Sequence, residues 1–265
     1  MSRIFTDRER PDIRRSMSIA ILAMLALVVI ALPQASAQDA RTILKKAYDN
    51  WRADSSFSVV EMTIKRKGSL RKLTMKSWTK GTDKALVRFV APARDAGNAT
   101  LQIGNSTYVY NPRINQVIKL PASAMSQSWM GSDFSYNDLA RSQRVLDDYT
   151  HKLIGTRIIK GQKIYVIESI PKRGRPIVWG KQIIMVRGDG VLYRVEYYDQ
   201  LGKRVRVMTA DKIGRIGGRL YPIVMTMRRD DKPGQYTRIA TRTAQFNIPI
   251  PAYVFTRSNL QNPRD

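Results

Sequence analysis

VEMTIKRKGSLRKLTMK, residues Val60 to Lys76, reads at period two. Val60, Met62 and Ile64 alternate with Glu61, Thr63 and Lys65, and Leu73 and Met75 alternate with Lys72, Thr74 and Lys76. Successive side chains of a strand point to opposite faces, so this is the pattern of two half-buried strands, with Gly68-Ser69 as the hairpin turn between them.

The same reading extends downstream. Strands are expected at Ala85 to Val90, Thr100 to Ile103, Thr107 to Tyr110 and Gln116 to Leu120, with Asn111-Pro112-Arg113 turning between the last two. After an irregular middle they resume at Lys152 to Ile158 and Lys163 to Ile170, then Gln182 to Val186 and Val191 to Tyr198. Arg204 to Ala210, Arg219 to Arg228 and Tyr236 to Phe246 complete the series. Loops as short as Lys160-Gly161-Gln162 or Gly217-Gly218 join only antiparallel neighbours, so the chain is expected to meander. About ten strands in such a meander predict one large antiparallel sheet, curved because a sheet of that size twists. The alternation assigns each strand an apolar concave face and a basic, wet outer face.

Upstream, Ile43, Leu44, Ala47, Tyr48 and Trp51 recur at helical spacing behind Asp39, which is placed to cap an amphipathic helix. That helix is too short to close a concave face alone. Further upstream, Arg14-Arg15 precede an uncharged apolar run from Ile19 to Leu32, and Ala35-Ser36-Ala37 offers small residues where a signal peptidase reads. The expectation is a signal peptide over residues 1–37, cleaved after Ala37 by either the Sec or the Tat route, and one domain over 38–265. The chain has no cysteine, which excludes disulfides, thiolate metal sites and a lipidated residue at the cleavage point. The expected compartment is the periplasm.

The net charge is +25, from 46 basic and 21 acidic residues. Removing residues 1–37 takes away five basic and three acidic residues, so the excess falls by only two. Such a field attracts polyanions, and for an exported protein an anionic membrane surface is the expected one, with no nucleic acid.

Catalysis is poorly provided for. His151 is the single histidine and no nucleophile-elbow motif accompanies it. Glu61, Glu168 and Glu196 lie in separate strands, and Asp147-Asp148 reads as a loop solvated among arginines. No catalytic residue, metal ligand or cofactor is therefore assigned, and the protein is not expected to be an enzyme. Binding remains, and methionines such as Met62 and Met75 supply adaptable apolar surface for it.

One stretch interrupts the strand pattern: Gly131-Ser132-Asp133-Phe134-Ser135-Tyr136-Asn137-Asp138-Leu139. It resembles the signature of bacterial outer membrane lipoprotein-sorting proteins, the LolA-like family. The resemblance continues through Tyr165-Val166-Ile167-Glu168, Val195-Glu196-Tyr197-Tyr198-Asp199, Gly218-Arg219-Leu220-Tyr221-Pro222 and Val254-Phe255-Thr256. It implies a fold that is mainly β with α: a large curved antiparallel sheet forming an incomplete, half-open barrel, with a helical lid over an apolar cavity. It implies a carrier that holds acyl chains of lipoproteins or lipids and moves them toward the outer membrane, with an RND-type transporter as a candidate partner. The alternative is an RseB-like sensor or adaptor that regulates a membrane partner without transferring cargo. By the same resemblance GSDFSYNDLA, residues 131–140, becomes the lid. Phe134, Tyr136 and Leu139 would anchor it, Asp133 and Asp138 would face the basic rim or cap short helical turns, and Trp129 and Met130 would touch a bound acyl chain. A loosely held lid is expected, since cargo must also leave.

Overall fold

The structure, a computed structural model, describes residues 35–141, 144–175 and 177–264. The apolar run and Arg14-Arg15 of the expected export signal lie outside the described residues. Helix α1 (Ala35–Arg52) contains the expected cleavage point. Asp39 lies inside this helix and not at its N-cap, because the helical turns begin four residues earlier than the apolar spacing indicated.

Among the described residues thirteen strands form one antiparallel sheet, one for each alternating segment named above and more than the rounded figure of ten. The first six are β1 (Ser55–Arg66), β2 (Ser69–Lys80), β3 (Lys84–Ala91), β4 (Ala99–Ile103), β5 (Ser106–Asn111) and β6 (Gln116–Lys119). The other seven are β7 (Tyr149–Ile159), β8 (Gln162–Pro171), β9 (Lys181–Arg187), β10 (Leu192–Tyr198), β11 (Arg204–Ile216), β12 (Arg219–Arg229) and β13 (Tyr236–Phe246). Each strand lies beside its chain neighbour, with two exceptions. β1 pairs with β13, joining the first strand to the last, whereas β6 and β7 are the two edges of the sheet although they follow one another in the chain. The sheet is therefore an open barrel whose strands go round in chain order. Residues 120–148, which link the two edges, contain the GSDFSYNDLAR stretch and the short helices α2 (Tyr136–Arg141) and α3 (Val145–Asp148).

The main core lies on the inner face, defined as the face turned toward α1 and the linking segment. Leu44, Ala47 and Tyr48 of α1 join Met62, Leu73, Ile184, Val195, Met208 and Met227 of the sheet, together with Trp129 and Phe134 of the linking segment. Polar ties fix the helix: Asn50 Nδ2 donates to the Leu220 carbonyl at 2.8 Å and Arg219 Nη1 to the Asp49 carbonyl at 3.0 Å.

A second core lies on the outer face of β3–β5. Leu86, Ala99 and Leu101 point outward there and pack under Ile250, Val254, Phe255 and Leu260 of the chain's closing arm, which ends in helix α4 (Arg257–Gln261). This corrects the expectation that every strand keeps its apolar residues on the concave side. In β4 and β5 the apolar phase of the alternation faces out, because the C-terminal arm is there to cover it, and β3 is apolar on both faces, with Leu86 turned outward and Val87 and Phe89 inward. Arg88 secures the arm by donating to the carbonyls of Asn259 at 2.5 Å and Leu260 at 3.1 Å, and its burial lowers its pKa. A third cluster, Ile164, Val166, Ile183 and Met185, occupies the outer face of β8 and β9, so Ile183 to Val186 are buried on both sides of the sheet.

Candidate functional site

The linking segment is built from polar anchors. At Met130 (φ +53°) and Gly131 (φ +74°) the backbone turns left-handed, a conformation that suits glycine and costs a methionine energy. The turn aims two carbonyls at the sheet: Met130 accepts from Arg71 Nη1 at 3.1 Å and Gly131 from Arg66 Nη2 at 2.8 Å. Asp133, almost completely buried, accepts from Arg66 Nη1 at 3.1 Å and from the Thr237 hydroxyl at 2.7 Å.

Helix α2 then starts on a reciprocal cap. The Asp138 carboxylate accepts from the Ser135 backbone N–H at 2.6 Å, and the Ser135 hydroxyl accepts from the Asp138 N–H at 3.3 Å. Asp138 is also paired with Arg206 of β11, and both side chains are buried. The same guanidinium donates to the Asp133 carbonyl at 2.7 Å and lies 4.1 Å and 4.4 Å from the ring centroids of Trp179 and Tyr197. Arginine suits this place because a planar, weakly hydrated fork can serve two acceptors and two aromatic faces together.

Asp133 and Asp138 therefore do not face a basic rim. They are buried ion-pair partners, although Asp138 does cap a short helix. Asp148 departs from expectation in the same way: at 1% exposure it is buried in α3, with Arg144 at 3.7 Å and Arg175 at 3.6 Å, instead of solvated in a loop.

Beneath the segment lies a half-open cavity of about 250 Å³, bounded by the inner face of the sheet, α1, α2 and α3. Its wall differs from side to side. Leu192, Val195, Met208, Met225 and Ile239 line it from β10–β13, whereas Ser58, Ser77, Thr100, Gln102 and Thr107 line it from β1, β2, β4 and β5. Arg52 also reaches it, and burial lowers its pKa to about 10, so it remains cationic at neutral pH. A separate space of 210 Å³ lies on the other side of the segment, between Met130, Tyr136 and residues of the β5–β6 hairpin such as Ile114 and Ile118.

A family model whose description reads only "Uncharacterized protein" matches residues 81–262. The chain belongs to the family that this model describes. Three solved structures share its fold. A DUF1329 family protein from Desulfovibrio piger superposes with a TM-score of 0.78 at 23% identity, over 85% of this chain and 99% of that one. A putative outer membrane lipoprotein-sorting protein domain from Vibrio parahaemolyticus gives 0.75 at 21% identity, over 85% and 99%. A LolA superfamily protein from Nitrosomonas europaea gives 0.71 at 23% identity, over 84% and 98%. No curated protein matches the sequence.

Within this LolA-like fold the seven candidate residues divide three ways. Trp129, Phe134, Leu139 and Met75 line the 250 Å³ cavity. Met130 and Tyr136 border the second space instead. Met62, with no exposed surface, is packed into the core. Trp129 is held in place by its indole N–H, which donates to Thr100 Oγ1 at 3.1 Å, and by Phe89, whose ring centroid is 5.2 Å away.

The sequence reading missed Arg206 and the polar wall, yet both left a signal. Arg206 is in phase with Met208 and Ala210, which makes it a charge on the apolar face of its strand. Ser56 and Ser58 are in phase with Val60, Met62 and Ile64, so the inner face of β1 turns polar at its start.

The groups considered for catalysis are otherwise engaged. His151 Nδ1 is 2.8 Å from the Ser169 hydroxyl, and burial, aided by the nearby Arg41 charge, lowers the imidazole pKa to about 4. Glu61, Glu168 and Glu196 are each paired with a cation, respectively Arg242, Lys181 and Arg194. Among the described residues no cluster of three His, Asp or Glu could hold a metal ion.

Proposed function

We propose that this protein is a non-enzymatic periplasmic carrier that takes acyl chains of lipoproteins or lipids into the 250 Å³ cavity and moves them toward the outer membrane. The observation that carries this reading is the cavity itself, held open under a lid that is fastened to the sheet by arginines and not filled by side chains. A domain that needed only a core would gain by collapsing such a space, since each unfilled methylene-sized void costs about 1 kcal/mol.

The energetics suit transport. Each methylene taken out of water is worth about 0.8 kcal/mol, so an acyl chain of about sixteen carbons gains roughly 12 kcal/mol in an apolar wall, most of what an aqueous crossing would otherwise cost. The volume is below the ~300–1,000 Å³ of pockets that enclose a drug-sized ligand. A long chain would therefore extend through the cavity's open side or need the lid segment to shift. The segment is held more firmly than the expected loose lid, by the core packing of Trp129 and Phe134 as well as by the buried Arg206–Asp138 pair, so such a shift would have to be driven by the cargo or the membrane. The family resemblance and the export signal read from residues 1–37 support the compartment, and the excess of basic residues suits docking at an anionic membrane.

Native mass spectrometry of the mature protein, purified from a periplasmic extract without detergent, tests the reading. A bound mass that organic extraction identifies as a lipid or lipopeptide is the expected result. A protein that is empty, and stays empty when lipids are added, would overturn it in favour of an adaptor.

A further inference from the structure

The polar wall of the cavity is ordered by strand register. Ser56 of β1 stands opposite Thr79 of β2, Thr79 opposite Ala85 of β3, Ala85 opposite Gln102 of β4, and Gln102 opposite Thr107 of β5. In the next inward row Ser58 stands opposite Ser77, and the row continues through Val87 to Thr100. Directly opposed residues share a face, so these two rows form a wall of hydroxyl and amide groups from β1, β2, β4 and β5, with the small apolar side chains of Ala85 and Val87 of β3 between the two pairs. Ser56, Thr79, Thr100, Gln102 and Thr107 are all buried.

Burying a hydroxyl or amide without a partner costs about 1–3 kcal/mol, so a patch of this size is expensive as mere filling. Part of the cost is met internally: Ser56 and Thr79 share a hydrogen bond at 2.7 Å, and Thr100 accepts from Trp129. The lid adds a group whose needs are not met. Asn137, 4% exposed and lining the same cavity, has a side-chain oxygen with no hydrogen-bond partner.

The ionisable lining does not call for an anion. Arg52 contributes one positive charge, whereas Asp138 and Asp148 contribute two negative ones, each already held by arginine. No lysine or arginine interrupts the hydroxyl rows.

We infer that the β1–β5 wall, with Asn137, is the seat for the polar end of the cargo, and that this end is uncharged: the hydroxyl, ester or amide group of a neutral amphiphile whose hydrocarbon lies against Val195, Met208 and Met225. Hydroxyls donate and accept, which matches such groups, whereas an ionised headgroup would give up its hydration with no free counter-charge in return. This inference rests on the carrier reading and narrows its substrate class.

The test is displacement of an environment-sensitive naphthylamine probe from the delipidated mature protein by two twelve-carbon ligands, monolaurin and laurate, at pH 8. Monolaurin is expected to displace the probe at a concentration about tenfold lower, a difference of about 1.4 kcal/mol. Thr107→Val, and separately Ser58→Ala combined with Ser77→Ala, should each shrink that ratio by roughly threefold to tenfold, the loss of one to two hydrogen bonds. If the wild type binds the probe but takes laurate as well as monolaurin, or if neither variant moves the ratio, the headgroup seat is wrong and the carrier reading stands. If the wild type binds neither the probe nor either ligand, the carrier reading itself fails.

Discussion

Strands β4–β5 and β10–β12 carry the same period-two alternation, yet they bury it on opposite faces, and β3 between β2 and β4 buries apolar residues on both. Leu86 and Leu101 point outward to Val254, Phe255 and Leu260, whereas Val195, Met208 and Met225 point inward to α1 and the lid. Alternation states that a strand has an apolar face. Which way that face turns is decided by the element that covers it. On one half the cover is the closing arm of the chain, which frees the inner side of β4 and β5 to carry part of the polar wall. On the other half the cover is α1 and a lid fastened by buried arginine contacts. The two halves should accordingly fail for different reasons.

The largest effect is expected at the lid's ion pair. Arg206→Met leaves Asp138 buried without its cation, which costs about 4 kcal/mol in urea unfolding. Adding Asp138→Leu to that variant should recover part of the loss, since removing both charges is far cheaper than stranding one. A single variant within ~1 kcal/mol of the wild type would mean that the lid is held by its aromatic side chains, and the contrast with the arm would disappear.

Next comes the arm. Phe255→Ala should cost about 3 kcal/mol, from lost transfer energy and the cavity left behind. The place of the damage matters more than its size. Hydrogen exchange should quicken in β3–β5 while β10–β12 keep their protection, and uniform loosening would show that the two cores are one cooperative unit.

Acid should act on the lid half first. The His151 pKa is lowered in the folded state to about 4, against an ordinary value near 6.5, so the unfolded chain binds the proton more readily. Stability is thus complete above about pH 6.5 and falls as the pH drops toward 4, by on the order of 2 kcal/mol from this group. His151→Gln should flatten the profile between pH 6.5 and 5, above the range in which ordinary carboxylates titrate. An unchanged slope would assign the acid response elsewhere.

These regions were unequally legible in the sequence. The strands, their turns and the meander followed from alternation and from short glycine-bearing loops, which are local signals. The GSDFSYNDLAR stretch stood out because it broke the period. The pairing of β1 with β13 left no local mark, since contact between strands almost two hundred residues apart is settled by closure of the whole sheet. The arm was equally silent: Ile248-Pro249-Ile250-Pro251 has neither helical nor strand period, so its role as a cover could not be read. Without the cover, the outward turn of Leu86 and Leu101 could not be read either. The buried fates of Asp133 and Asp138 depended on Arg66, Thr237 and Arg206, whose convergence is a property of the folded sheet.

The smallest expected effect separates the lid's fastening from its folding. Ser135 caps α2 and exchanges hydrogen bonds with Asp138, so Ser135→Ala should cost about 1 kcal/mol, the usual value of an N-cap. The Asp138 oxygen that faces Arg206 is not the one that serves Ser135, so the ion pair can survive the change. A lid frayed at its cap but still fastened by Arg66, Arg71 and Arg206 should exchange the amide hydrogens of residues 135–141 faster, while those of 129–134 remain protected. If both stretches loosen together, the cap and the arginines hold a single unit. The lid must then open as one piece, from the left-handed turn at Met130 through helix α2.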